Sequence, residues 1–210
     1  MGMYLNPNNA LLKGILKSEI FVDKSMMIAE LNRLLDTEDK FICVSRPRRF
    51  GKTMAGNMIS AYYSKGCDSS ELFKNLKIAK DKSYETYLNK LNVIKFDLNG
   101  LYMEYRDNFL QVMHKKIIKD FVSTFPNIDF SDCHTISECM MEVYDLTGET
   151  FVVIIDEYDV LIREKVPDSL FKPYLEFLNA MFKNSTLSPA ISLAYLTGIF
   201  PIVRDNCGHR

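Results

Sequence analysis

The 210-residue sequence has no tryptophan, no CxxC pair and no apolar run of the roughly 20 residues that cross a bilayer. Its five cysteines follow no disulfide or metal-ligand spacing, and its three histidines form no cluster, which argues against a zinc site or a disulfide-rich secreted domain. The N-terminus has no basic segment followed by an apolar core, as a secretory signal would. We therefore expect a reduced, cytoplasmic protein that does not span a membrane.

The sequence also lacks an excess of either charge. Lys and Arg number 26 and Asp and Glu number 27, which gives a formal net charge of −1. Proteins that bind nucleic acid usually carry a basic surplus or stripe, so we expect no nucleic-acid binding through this domain alone. Hydrophobic residues make up 47% and charged residues 25%, a balance that is typical of a globular protein with a full core and excludes a disordered chain.

Apolar periodicity predicts short strands that alternate with helices. The strands are predicted at 41–44, 93–98, 151–155 and 191–196, and the helices at 26–36, 52–64, 105–124 and 168–183. Thr135 and Glu138 form a capping-box pattern that opens a further helix, and Gly148 closes it. This alternation predicts an α/β fold with a mostly parallel sheet flanked by helices, in which ligands bind beyond the carboxyl ends of the strands.

Three details of this prediction concern single segments. The apolar run 41–44 is interpreted as a buried strand, because a loop with Pro, Arg and Gly follows it directly. Asn99-Gly100 is interpreted as the turn that stops the second strand. The polar, lysine-rich residues 65–91 are predicted to form an insert with one or two short helices.

Residues 45–53, Ser-Arg-Pro-Arg-Arg-Phe-Gly-Lys-Thr, lie between a predicted strand and a predicted helix. Their last three residues match the end of the phosphate loop GxxxxGK[ST], in which glycine lets backbone N–H groups approach phosphate, lysine reaches the β- and γ-phosphates and the hydroxyl binds Mg²⁺. Arg46 stands where that motif has its first glycine. The alternative is a solvated basic turn or a small nucleic-acid patch, but basic side chains oppose the dipole at a helix N-terminus, which favours a bound anion.

Two adjacent acids, Asp156 and Glu157, follow the apolar run 151–155. In P-loop nucleotidases the first acid holds Mg²⁺ and a following Glu polarises the attacking water. The alternative is that the acids only mark where a buried strand reaches solvent. Together with the loop at 45–53, they predict the two halves of one Mg–nucleotide site.

Several segments resemble the predicted AAA-ATPase-like family of bacterial and archaeal proteins. They are FVDKS at 21–25, SRPRRFGKT at 45–53, LFKNLKI at 72–78, IDEYD at 155–159 and LTGI at 196–199. In this family Arg at position 46 is the usual departure from the general loop. The resemblance covers nearly the whole chain and implies a P-loop NTPase core of the ASCE/AAA type, with an additional strand between the phosphate-loop strand and the Walker B strand.

The resemblance implies a role for each matching residue. The predicted catalytic residues are Glu157, Lys52 and Thr197, where Thr197 falls at the family's sensor-like position. The predicted Mg²⁺ ligands are Thr53 and Asp156. The predicted ATP-binding residues are Arg46, Pro47, Arg48, Arg49, Phe50, Gly51, Lys52, Thr53 and Met54.

Other matching residues are expected to be structural. Tyr158 and Asp159 are expected to support the fold, and Asp23 and Lys24 to pack or cap before any contact with nucleotide. For Thr197 an ordinary threonine that closes a strand before Gly198 is an equal alternative to the sensor role.

Members of this family usually continue past LTGI, often into a nuclease-like domain of the PD-(D/E)XK type. No second D…ExK constellation occurs in this sequence, so no nuclease activity is expected. We expect residues 1–210 to form one P-loop domain that is C-terminally truncated and lacks the family's last strand. Strand 41–44 would then be an open edge that favours self-association, unless the segment at 20–22 folds over it.

The functional expectation is Mg-dependent binding and hydrolysis of ATP. The alternative is a catalytically weak nucleotide-binding switch module, or a fragment of a larger ATPase or nuclease-like protein. Both alternatives share every motif, so the sequence alone does not separate them.

Overall fold

The structure is a computed structural model that describes residues 2–200. Its strands are β1 (Phe41–Ser45), β2 (Asn92–Asp97), β3 (Phe151–Asp156) and β4 (Ile191–Gly198). Its α-helices are α1 (Ala10–Leu16), α2 (Met26–Leu34), α3 (Lys52–Tyr63), α4 (Ser70–Phe73), α5 (Tyr84–Tyr87), α6 (Leu98–Tyr105), α7 (Phe109–Thr124), α8 (Ile136–Thr147), α9 (Val160–Arg163) and α10 (Asp168–Phe182). Short 3₁₀ helices span Lys77–Lys80, Arg106–Asn108 and Ser188–Ala190.

The four strands form one parallel sheet in the order β1-β4-β3-β2. β4 therefore lies between β1 and β3, where the family resemblance implies an additional strand. The predicted α/β class with a parallel, P-loop-like sheet is confirmed. All four carboxyl ends lie along the same edge of the sheet, and this edge positions the residues of the candidate site.

Two hydrophobic cores lie on opposite faces of the sheet, and β3 contributes to both. Phe151, Val153 and Ile155 pack into the core formed with α6, α7, α8 and α10. Val152 and Ile154 pack into the core formed with α1, α2 and α3. Every residue of β3 is buried, which explains why its sequence is a continuous apolar run.

The insert at 65–91 belongs to the second core. Phe73 and Ile78 are fully buried there, so the insert is packed against the sheet's α3 side. It contains three short helical segments, α4, the 3₁₀ helix Lys77–Lys80 and α5, where the sequence predicted one or two.

The first residues of the chain, which the sequence left unassigned, cover the outer edge of β2. Leu5 forms an antiparallel bridge with Ile94. The backbone N–H of Asn6 donates to Val93 O at 2.7 Å, and the N–H of Lys95 donates to Tyr4 O at 2.8 Å. Helix α1, also not predicted, follows this extended segment.

The prediction that 41–44 is a buried strand is wrong. Phe41 is 40% exposed and Cys43 is also exposed. Within residues 2–200, β1 has a strand neighbour on one side only, so its apolar run is half covered. Residues 20–22 do not replace the missing neighbour, because no backbone hydrogen bond joins them to β1 in the described part of the chain.

The interpretation of Asn99-Gly100 as a turn is also wrong, since both residues lie inside α6. Asp97 ends β2 and caps α6, accepting the N–H of Gly100 at 3.0 Å, and this cap starts a helix where the sequence suggested a turn. The predicted helix at 105–124 accordingly begins at Phe109. The predicted capping box of α8 is confirmed.

Among the described helices, none has the length and apolar character needed to cross a membrane.

Candidate functional site

Two loops meet at the carboxyl end of β4. The loop after β1 is held there by the N–H of Arg46, which donates to Gly198 O at 3.1 Å. The turn after β3 is held by the N–H of Tyr158, which donates to Thr197 O at 3.0 Å. Because these carbonyls are consecutive on one strand, the phosphate-loop segment 45–53 and the acidic turn lie on either side of it.

The phosphate-loop segment contains two residues with a left-handed backbone just before α3. Gly51 has a φ of +75° and precedes α3, and Arg49 has a φ of +70°. Gly51 favours this left-handed conformation, and a Cβ there would lie 3.2 Å from Lys24 Nζ. The first turn of α3 contains no acidic residue, so its free N–H groups and positive dipole end favour an anion.

The Lys52 ammonium lies against the loop's own carbonyls. Its Nζ donates to Arg46 O at 2.7 Å and to Pro47 O at 2.9 Å. The positive charge of Lys52 therefore lies next to the first residues of the loop, Arg46 and Pro47. The remaining predicted loop residues are exposed to solvent: Arg46, Pro47, Arg48, Arg49, Phe50, Thr53 and Met54.

The Asp156 carboxylate is buried and fixed on one side. Asp156 is 5% exposed, and its Oδ1 accepts the N–H of Glu157 at 3.1 Å. The same oxygen accepts the hydroxyl of Thr197, which is 1% exposed. Thr197 thus contacts the predicted Mg²⁺ ligand directly, which a threonine that merely closed a strand need not do.

The residues that follow Asp156 form a turn built onto β4. Glu157 has a φ of +56°, and its carboxylate pairs with the Arg163 guanidinium. Asp159 is fully buried, and its Oδ2 accepts the N–H groups of Ile199 and Phe200, both at 2.9 Å. Asp159 therefore connects the turn to the end of β4, which agrees with the structural role expected from the sequence.

Gly198 allows this turn to approach β4. A Cβ on Gly198 would lie 2.6 Å from Tyr158 Cε1, a distance that side chains do not tolerate. The Tyr158 ring thus packs directly on the backbone of the LTGI segment. The IDEYD and LTGI motifs therefore contact each other directly, and this contact requires glycine at position 198.

Comparison with known proteins assigns the chain to a family. A family model described as Predicted AAA-ATPase matches residues 13–207. The chain belongs to this family. Neither the curated proteins nor the solved structures gave a significant match. Membership in the AAA-ATPase family supports nucleotide binding as a general property of the chain.

In this AAA-ATPase family member a cavity of about 340 Å³ opens beside the phosphate loop. Its lining includes residues 20–22 together with Met54 and Met58 of α3. Lys24 and Gly51 also line it, and the Lys24 ammonium donates to Phe50 O at 3.0 Å. The volume falls within the range of about 300–1,000 Å³ that is usual for small-molecule pockets.

Asp23 and Lys24 differ in what they contact. The Asp23 carboxylate joins the start of α2 to the insert, since it accepts the N–H groups of Ser25 and Lys77, both at 2.8 Å. Burial alone would raise the pKa of Asp23, but these hydrogen bonds outweigh it and lower the pKa. Lys24 instead contacts the phosphate loop, which the sequence-based interpretation missed.

Lys95 is a further cation that sequence reasoning did not identify. It lies on β2, and its ammonium donates to Asn57 of α3. Burial lowers the pKa of Lys95, although Asp156 and Asp97 oppose the shift. A lysine inside the otherwise apolar strand 92–97 was the only hint in the sequence that this residue is unusual. Its partners could not be predicted, because Asn57 belongs to α3 and Asp156 to β3.

The residues present fit a magnesium ion that is shared with a ligand. Thr53 offers a hydroxyl and Asp156 a carboxylate, and oxygen atoms of these kinds are the ligands that Mg²⁺ prefers. Within residues 2–200 no group of three or more His, Cys, Asp or Glu side chains could hold a metal by itself. Mg²⁺ typically binds through one or two protein oxygens together with phosphate and water, which this donor set allows.

Proposed function

We propose that this chain binds MgATP at the carboxyl edge of its sheet and hydrolyses the bond between the β- and γ-phosphates. The observation that carries the proposal is the meeting of the phosphate loop and the Asp156 turn on consecutive carbonyls of β4. Either loop alone has an ordinary structural explanation. Their meeting at one point, in a member of the AAA-ATPase family, favours a single site for nucleotide and metal.

In this proposal the first turn of α3 and the loop bind the phosphates. Lys52 exchanges its two carbonyl acceptors, Arg46 O and Pro47 O, for β- and γ-phosphate oxygens. Thr53 and Asp156 hold Mg²⁺, and the Thr197 hydroxyl keeps the Asp156 carboxylate oriented. When bound, Mg²⁺ neutralises charge on the phosphate oxygens.

The proposed chemistry needs one base. Glu157 accepts a proton from water while the water oxygen bonds to the γ-phosphorus and the bond to the bridging oxygen breaks, which yields ADP and inorganic phosphate. Glu157 follows Asp156 directly and is partly exposed, so its carboxylate is accessible to solvent at the edge of the site.

The cavity beside the loop is the proposed place of the base and ribose. Its apolar walls at 20–22, Met54 and Met58 suit the faces of a purine, and it adjoins the loop that would hold the phosphates. Lys24, which lines this cavity and contacts the loop, would lie between the nucleoside and the phosphates.

A thermal-shift titration with MgATP tests the binding step. A ligand at about 100 times its Kd stabilises a protein by about 2.7 kcal/mol, so wild type should show a clear rise in Tm and Lys52→Ala should lose most of it. Lys172→Ala is the matched control, because Lys172 is an exposed lysine of α10 far along the chain from the loop. Equal shifts in wild type and Lys52→Ala would overturn the phosphate-loop assignment.

Phosphate release separates the proposed ATPase from its alternative. Wild type should release phosphate only when both ATP and Mg²⁺ are present. A protein that shows the Lys52-dependent thermal shift but releases no phosphate is the nucleotide-binding switch module instead.

A further inference from the structure

Arg163, the last residue of α9, lies between two carboxylates. Its side chain is 9% exposed. Its Nη2 pairs with Oε2 of Glu157, and its Nε lies 3.5 Å from Oδ1 of Asp159. A buried guanidinium needs such partners, because an unpaired buried charge is strongly unfavourable.

The two carboxylates do not hold Arg163 equally. Within the described residues neither Asp159 Oδ1 nor Arg163 Nε has a hydrogen-bond partner, so this contact is an ion pair without a hydrogen bond. The contact with Glu157 is a charge-assisted hydrogen bond, the stronger kind. The directed interaction of Arg163 is therefore with Glu157, and Asp159 provides a nearby fixed charge.

A chain of contacts connects Glu157 to the end of β4. Asp159 is fixed there by the N–H groups of Ile199 and Phe200. The fixed Asp159 attracts Arg163, which in turn reaches back six residues to Glu157. Glu157 itself has a left-handed backbone, which costs free energy in a residue other than glycine and persists only where its surroundings enforce it.

We propose that Arg163 is a positioning residue that holds the Glu157 carboxylate in the orientation from which it accepts a proton from the attacking water. The inference rests on the proposed function of the site. Arg163 engages Oε2, which leaves Oε1 for the water. Arg163 does not itself contact the nucleotide, so it acts on turnover through Glu157 and not on binding.

Two substitutions at Arg163 test the proposal. Arg163→Met removes the charge and should lower kcat about 10- to 100-fold, the loss expected when a catalytic group is misplaced by about 1 Å, with ATP affinity unchanged. Arg163→Lys keeps one positive charge but loses the planar fork, so it should recover part of the rate. Arg33→Met is the matched control, because Arg33 also pairs with a glutamate but on the exposed face of α2, and it should hydrolyse ATP at the wild-type rate.

A double substitution asks whether Arg163 acts through Glu157. In single-turnover assays with enzyme in excess, adding Arg163→Met to Glu157→Gln should cause no further loss, since residues that act as one unit are not additive. Far-UV circular dichroism and Tm of both Arg163 variants establish that they fold.

The outcomes distinguish this proposal from the ATPase assignment. If Glu157→Gln abolishes turnover while Arg163→Met turns over at the wild-type rate, the positioning role is wrong and the ATPase assignment stands. If ATP affinity falls as much as kcat in both Arg163 variants, or if both fail to fold, Arg163 is a structural residue and the proposal is overturned. A wild-type chain without any ATP hydrolysis overturns both.

Discussion

At the scale of single residues, the two adjacent acids at the end of β3, Asp156 and Glu157, have different environments. Asp156 is buried and bonded to Thr197, whereas Glu157 is partly exposed and paired with Arg163. We expect Asp156→Asn to weaken both the Mg²⁺ requirement and turnover, because it alters a proposed metal ligand. Glu157→Gln should keep ATP affinity and lose turnover, because a base acts only during chemistry. Equilibrium binding and phosphate release on the same preparations check this, and wild-type turnover in Glu157→Gln would place the base elsewhere.

Gly198 gives a second prediction at this scale. Gly198→Ala would bring a Cβ to 2.6 Å from Tyr158 Cε1 and 3.0 Å from Asp159 Oδ1, so the acidic turn must move away from β4. We expect a loss of stability of about 1–3 kcal/mol, the usual cost of overpacking, measured by urea unfolding. Gly14→Ala is the matched control: it lies in α1 with no atom within 4 Å of the new Cβ, and should stabilise by up to about 1 kcal/mol. Equal effects of the two substitutions would contradict the packing argument.

The residues that the sequence predicted and those it missed differ in how they reach the site. Lys52 and Asp156 belong to motifs in which a fixed spacing predicts a role, and the structure brings the loop after β1 and the turn after β3 together at the end of β4. Lys24, Lys95 and Arg163 reach the site through contacts between elements that are distant in the chain or through a turn whose backbone is left-handed. The spacing of the sequence does not encode the contacts of Lys24 and Lys95, and for Arg163 it indicates only the i,i+4 pair with Asp159, not the contact with Glu157.

At the scale of secondary-structure elements, α8 has the most complete cap in the described chain. Thr135 Oγ1 accepts the N–H of Glu138 at 3.3 Å, and Glu138 Oε2 accepts the N–H of Thr135 at 2.8 Å. Thr135→Ala should lower the free energy of unfolding by about 1 kcal/mol, which is typical for an N-cap residue. Ser123→Ala is the control, because its hydroxyl bonds to a carbonyl within helix α7 and should matter little. Urea unfolding measures both, and no difference between them would contradict the capping role.

The same cap should depend on pH. The backbone N–H of His134 and then that of Thr135 lower the pKa of Glu138 below 4.5, although its slight burial opposes the shift. The folded pKa lies below the unfolded one, so the stabilisation from ionised Glu138 is present above pH 4.5 and disappears as the pH falls through the folded pKa. The stability difference between wild type and Glu138→Gln should therefore shrink below pH 4.5 in unfolding curves measured from pH 7 downwards. A difference that stays constant over this range would contradict the linkage.

Elements were predictable where local signals and tertiary packing agree. The capping box and Gly148 bound α8 in both the sequence and the structure. Asn99-Gly100 shows the opposite case, because the Asp97 cap and the burial of Leu98 and Leu101 in the first core outweigh the local preference for a turn. β1 was assigned correctly as a strand, but its exposure depends on its place in the sheet, which an apolar run does not reveal.

At the scale of the whole molecule, the two edges of the sheet differ in whether another segment of the chain pairs with them. The outer edge of β2 is covered by the extended segment around Leu5. At the other edge, the N–H of Arg46 and the carbonyl of Lys40 both form hydrogen bonds with β4. Because backbone groups alternate in direction along a strand, the even-numbered residues of β1 point their N–H and C=O groups towards β4. Residues 41, 43 and 45 point theirs away from the sheet. Within residues 2–200, these outward groups have no strand partner.

We propose that β1 pairs with β1 of a second copy, because an exposed strand edge with apolar side chains favours such pairing. Sedimentation velocity in the presence of a reductant, which prevents disulfides through Cys43, should show association that increases with protein concentration. Cys43→Lys should reduce it, since a charge on an edge strand opposes pairing. Leu146→Lys, the same charge on an exposed position of α8, should leave it unchanged. A wild-type chain that stays monomeric at all concentrations, or equal effects of the two lysines, would show that another surface or no surface associates.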